Sequence, residues 1–263
     1  MEKRISLIQM DVSFENPSAN FRKAEGFIEE AMKDKPDFIC LPETWNTGFF
    51  PKEELEKLAD ENGNTTKKFL SKLSKKHNVN IIGGSVAVKR GDQVYNTSYI
   101  FNREGTLVAE YDKIHGFSPS GENEYFKGGE NLCVFEIDGV KAGIVICYDL
   151  RFLELIRSLA LKGIDILFLP AQWPHPRLNH WKTLSVARAI ENQMFVAAVN
   201  ALGTNGKLEM CGNSMIIDPW GNILVNAEEE EKIVTSVVDF EIVKDIRNRI
   251  NVFKDRKPHL YQL

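Results

Sequence analysis

Short apolar runs alternate with amphipathic stretches along the 263-residue chain, and their two repeat lengths separate strands from helices. "RISLIQMDV" has apolar residues on both faces, as a strand covered on both sides does. In "SANFRKAEGFIEEAMKDK", Phe21, Ala24, Phe27, Ile28 and Ala31 recur at helical spacing behind Ser/Asn capping residues. "PDFICLPE" reads as the next strand, and helical stretches are expected from Lys52 to Ala59 and from Asn64 to Asn78. "VNIIGGSVAV" and "QVYNTSYIFN" read as neighbouring strands joined through the turn-prone "KRGD", and "NREG" turns the chain into "TLVAEYDK".

Further on, "CVFEIDGVKAGIVICYD" reads as two strands across an Asp-Gly turn, a strong hairpin signal. "RFLELIRSLALKG" is helical and closes at Gly163; "IDILFLPAQWP" is a strand, "HWKTLSVARAIENQ" a helix and "MFVAAVNA" a strand. "GNSMIIDPWGNILVNA" and "EKIVTSVVDF" are expected to form a closing meander, with "AEEEEK" (227–232) as its solvated hairpin tip. "EIVKDIRNRI" predicts a short helix before the tail "NVFKDRKPHLY". The hairpins exclude a purely parallel doubly wound sheet. The pattern predicts an α/β fold with two mixed sheets face to face and helices on both outer faces. Without a linker, repeat or low-complexity stretch, residues 1–263 are expected to form one domain.

Charge and cysteine usage narrow the chemistry. A formal net charge of −4 argues against a nucleic-acid or anionic-membrane surface. The first residues lack a signal peptide's apolar stretch and cleavage site, and no run approaches the ~18 apolar residues of a spanning helix, so a soluble, cytoplasmic protein is expected. Cys40, Cys133, Cys147 and Cys211 lie far apart with no CxxC pair, which suits neither a zinc site nor a disulfide framework. His115, His175 and His180 lack metal-ligand spacing, so neither metal nor cofactor is expected.

Three apolar runs end in chemically useful residues: Glu43 in "FICLPE", Lys113 in "LVAEYDK" and Cys147 in "GIVICYD". Each alone has an ordinary reading, the Cys as packing and the Glu and Lys as solvated loop residues. Together they are coherent: a thiolate is a nucleophile, a carboxylate can take its proton, and an ammonium stabilises both the sulfur anion and an oxyanion. The backbone N–H of Tyr148, opening the next helix, could be a second oxyanion donor.

"LPETWNTGF", "YDKIHGF", "GENEYFKGG", "ICYDLRF", "AQWP…HW…ARAIENQMFVAAVN" and "G.S.IIDPWG", in this order, resemble the nitrilase superfamily of carbon–nitrogen hydrolases. The resemblance spans essentially the whole chain and is nearest the small bacterial branch that includes omega-amidases, which hydrolyse the terminal amide of α-keto acid amides such as 2-oxoglutaramate. It implies a four-layer αββα sandwich and a homodimer or higher homo-oligomer, with the tail from about 250 to 263 as a dimer-contacting extension. It also implies Glu43 as general base, Cys147 as nucleophile and Lys113 as oxyanion stabiliser. A second glutamate belongs in a Glu-x-x-x-Phe stretch; Glu122, with Phe126 at that spacing, is preferred over Glu124. The segment "KIHGFSPSGENE" departs from relatives that carry Leu after the His, and its Gly116, Pro119 and Gly121 make the loop unusual where the pocket is shaped.

A carboxylate-bearing substrate would need a cation, and Arg151 is the nearest arginine to Cys147 in sequence, its alternative being an ion pair with Asp149. Trp173 and Phe117 are candidate pocket walls, and Glu191 in "RAIENQ" could orient Lys113 or brace a backbone turn. The expected reaction is hydrolysis of a small linear amide through a Cys thioester, releasing ammonia and a carboxylic acid. A nitrilase or N-carbamoyl amidase with the same groups is the alternative in class, and a catalytically silent binding protein the alternative in kind.

Overall fold

The two-residue period of the first strand already divides the molecule into layers. A computed structural model describes residues 1–205 and 208–261. In the Glu2–Gln9 strand, Ile5 and Leu7 join one buried cluster with Phe38, Cys40, Phe135, Ile144 and Phe168. Ile8, with Met10 just beyond, joins another with Ala24, Ile28, Ile39, Leu70 and Leu73. The first cluster fills the space between two sheets and continues under the helices of one of them; the second lies between the other sheet and its helices. Successive side chains of a strand point to opposite faces, and both faces of this one are covered, so that even Ser6 within "ISLI" is buried, its hydroxyl paired with that of Thr235 at 2.8 Å.

One sheet has eight strands, in the order Lys232–Asp239, Glu2–Gln9, Phe38–Cys40, Asn80–Ile82, Gln93–Phe101, Val86–Arg90 and Asp60–Glu61, with Leu107–Asp112 also paired to Gln93–Phe101. The other has six, in the order Ile223–Asn226, Met215–Ile217, Phe195–Asn200, Ile166–Ala171, Val140–Ile144 and Cys133–Ile137. Helices Pro17–Ala31 and Asn64–His77 cover the first sheet, and Leu153–Leu161 and Leu178–Asn192 the second. The Phe38 and Phe168 rings meet across the middle at 6.0 Å. This is the expected four-layer αββα sandwich.

Four local expectations are corrected. The closing segment is not a meander: Met215–Ile217 and Ile223–Asn226 stay in the second sheet, whereas Lys232–Asp239 crosses to pair antiparallel with Glu2–Gln9. Residues 227–232 are therefore a solvated crossover rather than a hairpin tip, pinned where Gln9 Nε2 donates to the Glu228 and Glu230 carbonyls. "VNIIGGSVAV" is two strands, because Gly84 adopts φ +60° and a Cβ there would lie 2.0 Å from the Pro42 carbonyl oxygen. The helix expected from Lys52 to Ala59 shrinks to Leu55–Leu58, and "CYDLR" is a 3₁₀ turn preceding the Leu153–Leu161 helix.

Candidate active site

Three strand ends deliver the polar residues to one place. The Phe38–Cys40 strand runs out at Pro42, whose carbonyl accepts from Ser85 N, so the close approach allowed by Gly84 seats the loop carrying Glu43. Lys113 follows the Leu107–Asp112 strand directly, and its backbone N–H still bonds the Asn96 carbonyl. Cys147 follows the Val140–Ile144 strand after two more buried residues, Val145 and Ile146. All three side chains are buried, as is that of Glu122.

Lys113 Nζ donates to Glu43 Oε1 at 2.8 Å and to Glu122 Oε1 and Oε2 at 2.7 and 2.9 Å. Glu43 Oε1 also accepts from Asn96 Nδ2 at 2.9 Å, and Oε2 from the Gln172 N–H at 2.8 Å. Glu122 Oε2 also accepts from the Phe117 N–H at 2.7 Å. Two carboxylates thus share one ammonium out of water, an arrangement sustained only when every lone pair and proton is engaged. Burial works against the charge on Lys113, but Glu122 and Glu43 outweigh it and hold the ammonium well above its usual range. Burial raises Glu122, with Glu43 adding to it against the pull of Lys113.

Cys147 Sγ lies 4.0 Å from the Gln172 carbonyl oxygen, and the thiol feels the charges of Glu43 and Lys113. Burial first, then the Glu43 charge, pushes it well above the ordinary thiol range, with Lys113 acting the other way. The sulfur therefore rests as a thiol, and a base must take its proton as it attacks.

The backbone on both sides is held in an uncommon conformation. Cys147 has φ +48° and Thr44, next to Glu43, φ +38°. Such left-handed non-glycine residues persist where surrounding contacts over-determine them. For Cys147 the contact is buried Asp149, which accepts from Ile146 N at 3.0 Å, Tyr111 Oη at 2.8 Å, and His115 N and Nδ1 at 3.0 and 2.7 Å. Tyr111 and His115 flank Lys113, so one carboxylate ties the ammonium's strand end to the thiol's turn. The His115 ring adds a stack on Phe152 at 3.5 Å.

A small, partly open cleft lies over Cys147, lined by Phe49, Phe117, Tyr148, Arg151, Gln172, Trp173, Pro174 and Arg177. Phe117, Arg151 and Trp173 thus lie where a pocket wall requires. Arg151 does not pair with Asp149, whose oxygens are taken by the donors above; its guanidinium lies 4.9 Å from the Trp173 ring centroid and 3.2 Å from His180 Nδ1. The Tyr148 N–H falls in the first turn of the 3₁₀ segment, where helical donors lack an internal partner. Glu122 reaches Lys113 whereas Glu124 is exposed.

The suggestion that Glu191 orients Lys113 is corrected: Glu191 pairs with Arg188 Nη1 at 2.9 Å, and the Arg188 guanidinium donates to the Leu150 carbonyl at 3.0 and 3.1 Å. Through Arg188 it braces the turn after Cys147, and its carboxylate is engaged there instead of at the ammonium. Cys40, Cys133 and Cys211 are buried and free, and burial raises all three thiols. No group of three or more His, Cys, Asp or Glu able to hold a metal occurs among the described residues. Sequence reasoning missed Asn96, Gln172, Asp149 and Arg177. Gln172 stood beside the quoted Trp173, but nothing local marks a position whose backbone N–H binds a carboxylate 129 residues away.

Deep burial of acid, ammonium and thiol beneath a small cleft is the apparatus of a covalent hydrolase, and comparison with known proteins agrees with it. The carbon-nitrogen hydrolase family profile matches residues 4–248, and the chain belongs to that family as an amide-hydrolysing enzyme. It is similar to the 2-oxoglutaramate amidase of Bacillus subtilis (strain 168), at 47% identity over 99% of this chain and 100% of the relative. It also resembles omega-amidase NIT2 of Danio rerio, at 33% identity over 99% and 96% of the two chains. Among solved structures it matches XC1258 of Xanthomonas campestris, a CN-hydrolase superfamily protein with an arsenic adduct in its active site, at a TM-score of 0.92 and 30% identity over 100% and 99% of the chains. No helix among the described residues is long and apolar enough to cross a membrane.

Proposed function

We propose that this protein is an omega-amidase that converts 2-oxoglutaramate, or an α-keto acid amide much like it, to the dicarboxylic acid and ammonia. The observation that carries the reading is the bridge of buried Lys113 between Glu43 and Glu122, at the floor of the cleft that holds Cys147. The 47% identity to a 2-oxoglutaramate amidase along the full chain supports the substrate.

Cys147 attacks the amide carbon while Glu43 takes the thiol proton, and the oxyanion rests on Lys113 and the Tyr148 N–H. As the tetrahedral adduct collapses, the C–N bond breaks and the nitrogen leaves as ammonia with the proton Glu43 had taken. The thioester is then attacked by water, whose proton goes to Glu43; the C–S bond breaks and the proton returns to sulfur. Glu122 holds Lys113 from the far side and orients the amide. Arg151 receives the substrate carboxylate, and Phe117 and Trp173 enclose the carbon chain.

The whole chain works as one hydrolase domain. Leu153, Leu161, Leu260 and Tyr261 are exposed apolar residues of the Leu153–Leu161 helix and the tail, a face suited to a second copy of this chain. The last two tail positions, 262 and 263, lie outside the described residues. Four free cysteines suit the reducing cytoplasm. The deciding experiment measures ammonia released from 2-oxoglutaramate, a carbamoyl amino acid and a nitrile, each supplied separately. Release from 2-oxoglutaramate is expected; release from the carbamoyl compound or the nitrile alone overturns the reading.

A further inference from the structure

The wall of the cleft carries two arginines, and among the described residues no acid pairs with either. Arg177 ends the His175–Arg177 3₁₀ turn, and its guanidinium lies 4.9 Å from the centroid of Phe117, on the opposite loop. The Trp173 indole N–H donates to the Arg177 carbonyl at 2.8 Å, while the face of the same indole carries Arg151. Buried Trp173 therefore sets the position of both arginines. Among the described residues no carboxylate pairs with Arg151 or Arg177; the neighbours recorded for them are aromatic rings and His180. Arginines that line a cleft over a nucleophile, held by ring faces instead of by acids, are left with their N–H donors to offer.

We propose that Arg177 is a specificity-determining residue which, with Arg151, clamps the acidic end of the substrate and rejects amides bearing an α-ammonium. This rests on the omega-amidase reading and extends it to a residue and to a discrimination. An α-keto acid presents a carboxylate and an adjacent carbonyl oxygen, acceptors matched to two donor forks. Glutamine presents the same terminal amide, but its α-ammonium would face two uncompensated guanidiniums in a partly enclosed site. Like charges there are costly, and discrimination comes as much from that repulsion as from the attraction.

The test measures turnover of 2-oxoglutaramate, pentanamide and glutamine by wild type and by Arg177→Gln, with Arg177→Lys as the charge-keeping control. It also measures calorimetric binding of 2-oxoglutarate, which has no amide to hydrolyse, to Cys147→Ala and to Cys147→Ala/Arg177→Gln. Arg177→Gln should lower kcat/KM for 2-oxoglutaramate and weaken 2-oxoglutarate binding by roughly 10- to 100-fold, the worth of one charge-assisted hydrogen bond. Pentanamide turnover should fall far less than 2-oxoglutaramate turnover, glutamine should gain relative to 2-oxoglutaramate, and Arg177→Lys should recover part of the binding. Equal losses for the anionic and neutral amides, or unchanged 2-oxoglutarate binding, overturn the proposal. A wild type that cleaves pentanamide but not 2-oxoglutaramate would sink the omega-amidase reading by itself, since the binding comparison still reports on Arg177.

Discussion

The floor and the wall of the cleft solve the problem of placing charge in opposite ways. On the floor, Lys113, Glu43 and Glu122 are buried, each charge answered by another and every oxygen of the two acids taken. On the wall, Arg151 and Arg177 are partly open to solvent and rest on aromatic faces. A saturated buried network cannot adapt to a ligand without leaving something unpaired, so it suits a reaction whose charges appear at one fixed place. A solvated guanidinium is free to exchange water for whatever anion arrives. Reaction class is thus built into the floor, and the choice among amides into the wall.

The strongest way to break this contrast is to remove the charge the floor is built on. Lys113→Met should lower kcat by about 10²–10³, the usual effect of losing one oxyanion donor. It should also cost about 3–5 kcal/mol of stability, because two buried carboxylates lose their shared partner. Adding Glu122→Gln should restore part of the stability and none of the rate. Urea midpoints read beside kcat decide the matter: a rate loss with unchanged stability would mean the floor is not a closed charge network. The Arg177→Gln comparison is the matching test of the wall, where a large binding effect should come with no stability change.

Between these lies the tie that holds the floor in register. Asp149→Asn keeps one oxygen acceptor and places an amide where Tyr111, His115 and Ile146 all direct donors. Kcat should fall by about 10-fold or more, the worth of a hydrogen bond to a charged group, with KM for 2-oxoglutaramate little changed since the wall is untouched. The rate of Cys147 alkylation by iodoacetamide should shift to higher pH as Lys113 slackens away from the sulfur. If kcat and that pH profile both hold, Asp149 serves the fold alone.

What could be read from the chain follows the same division. The layers were legible because burial on two sides writes nearly continuous apolar runs into central strands such as Phe38–Cys40 and Ile166–Ala171, and Glu43, Lys113 and Cys147 stood out at strand ends. The partners of those residues were not legible, because Asn96, Gln172 and Asp149 act through contacts made by the packing of separate strands. Arg177 looked like any loop arginine until Trp173 placed it opposite Phe117. The split at Gly83–Gly84 escaped because the period of two continues across it; the chain breaks there to admit Pro42, a requirement set 42 residues earlier. The transfer of Lys232–Asp239 to the first sheet is invisible for a like reason, its partner strand being the chain's first.

The smallest effect expected is on stability at alkaline pH, and its sign follows from the thiol. Cys147 has an ordinary value of 9.0, and in the folded protein burial and Glu43 raise it well above that. Above about pH 9 the unfolded chain releases this proton while the native state keeps it, so the native state binds more protons and stability falls as pH rises. Below that value the contribution is fully present. One such group changes stability by about 1.4 kcal/mol per pH unit within its window, and Cys147→Ser removes that share. Cys133 and Cys211, each raised to about 12 by burial, leave a background slope of the same sign. Lys113, raised above its ordinary 10.5, adds to the loss once the unfolded lysine begins to titrate. Arginine keeps its charge across this range, so Arg177→Gln should leave the slope as it is. Urea unfolding of wild type, Cys147→Ser and Arg177→Gln at pH 7 and at pH 9 to 10.5 makes the comparison. Parallel declines for wild type and Cys147→Ser would mean that the sulfur sits in water, and the contrast between a dry floor and a wet wall would fail at the atom where the chemistry starts.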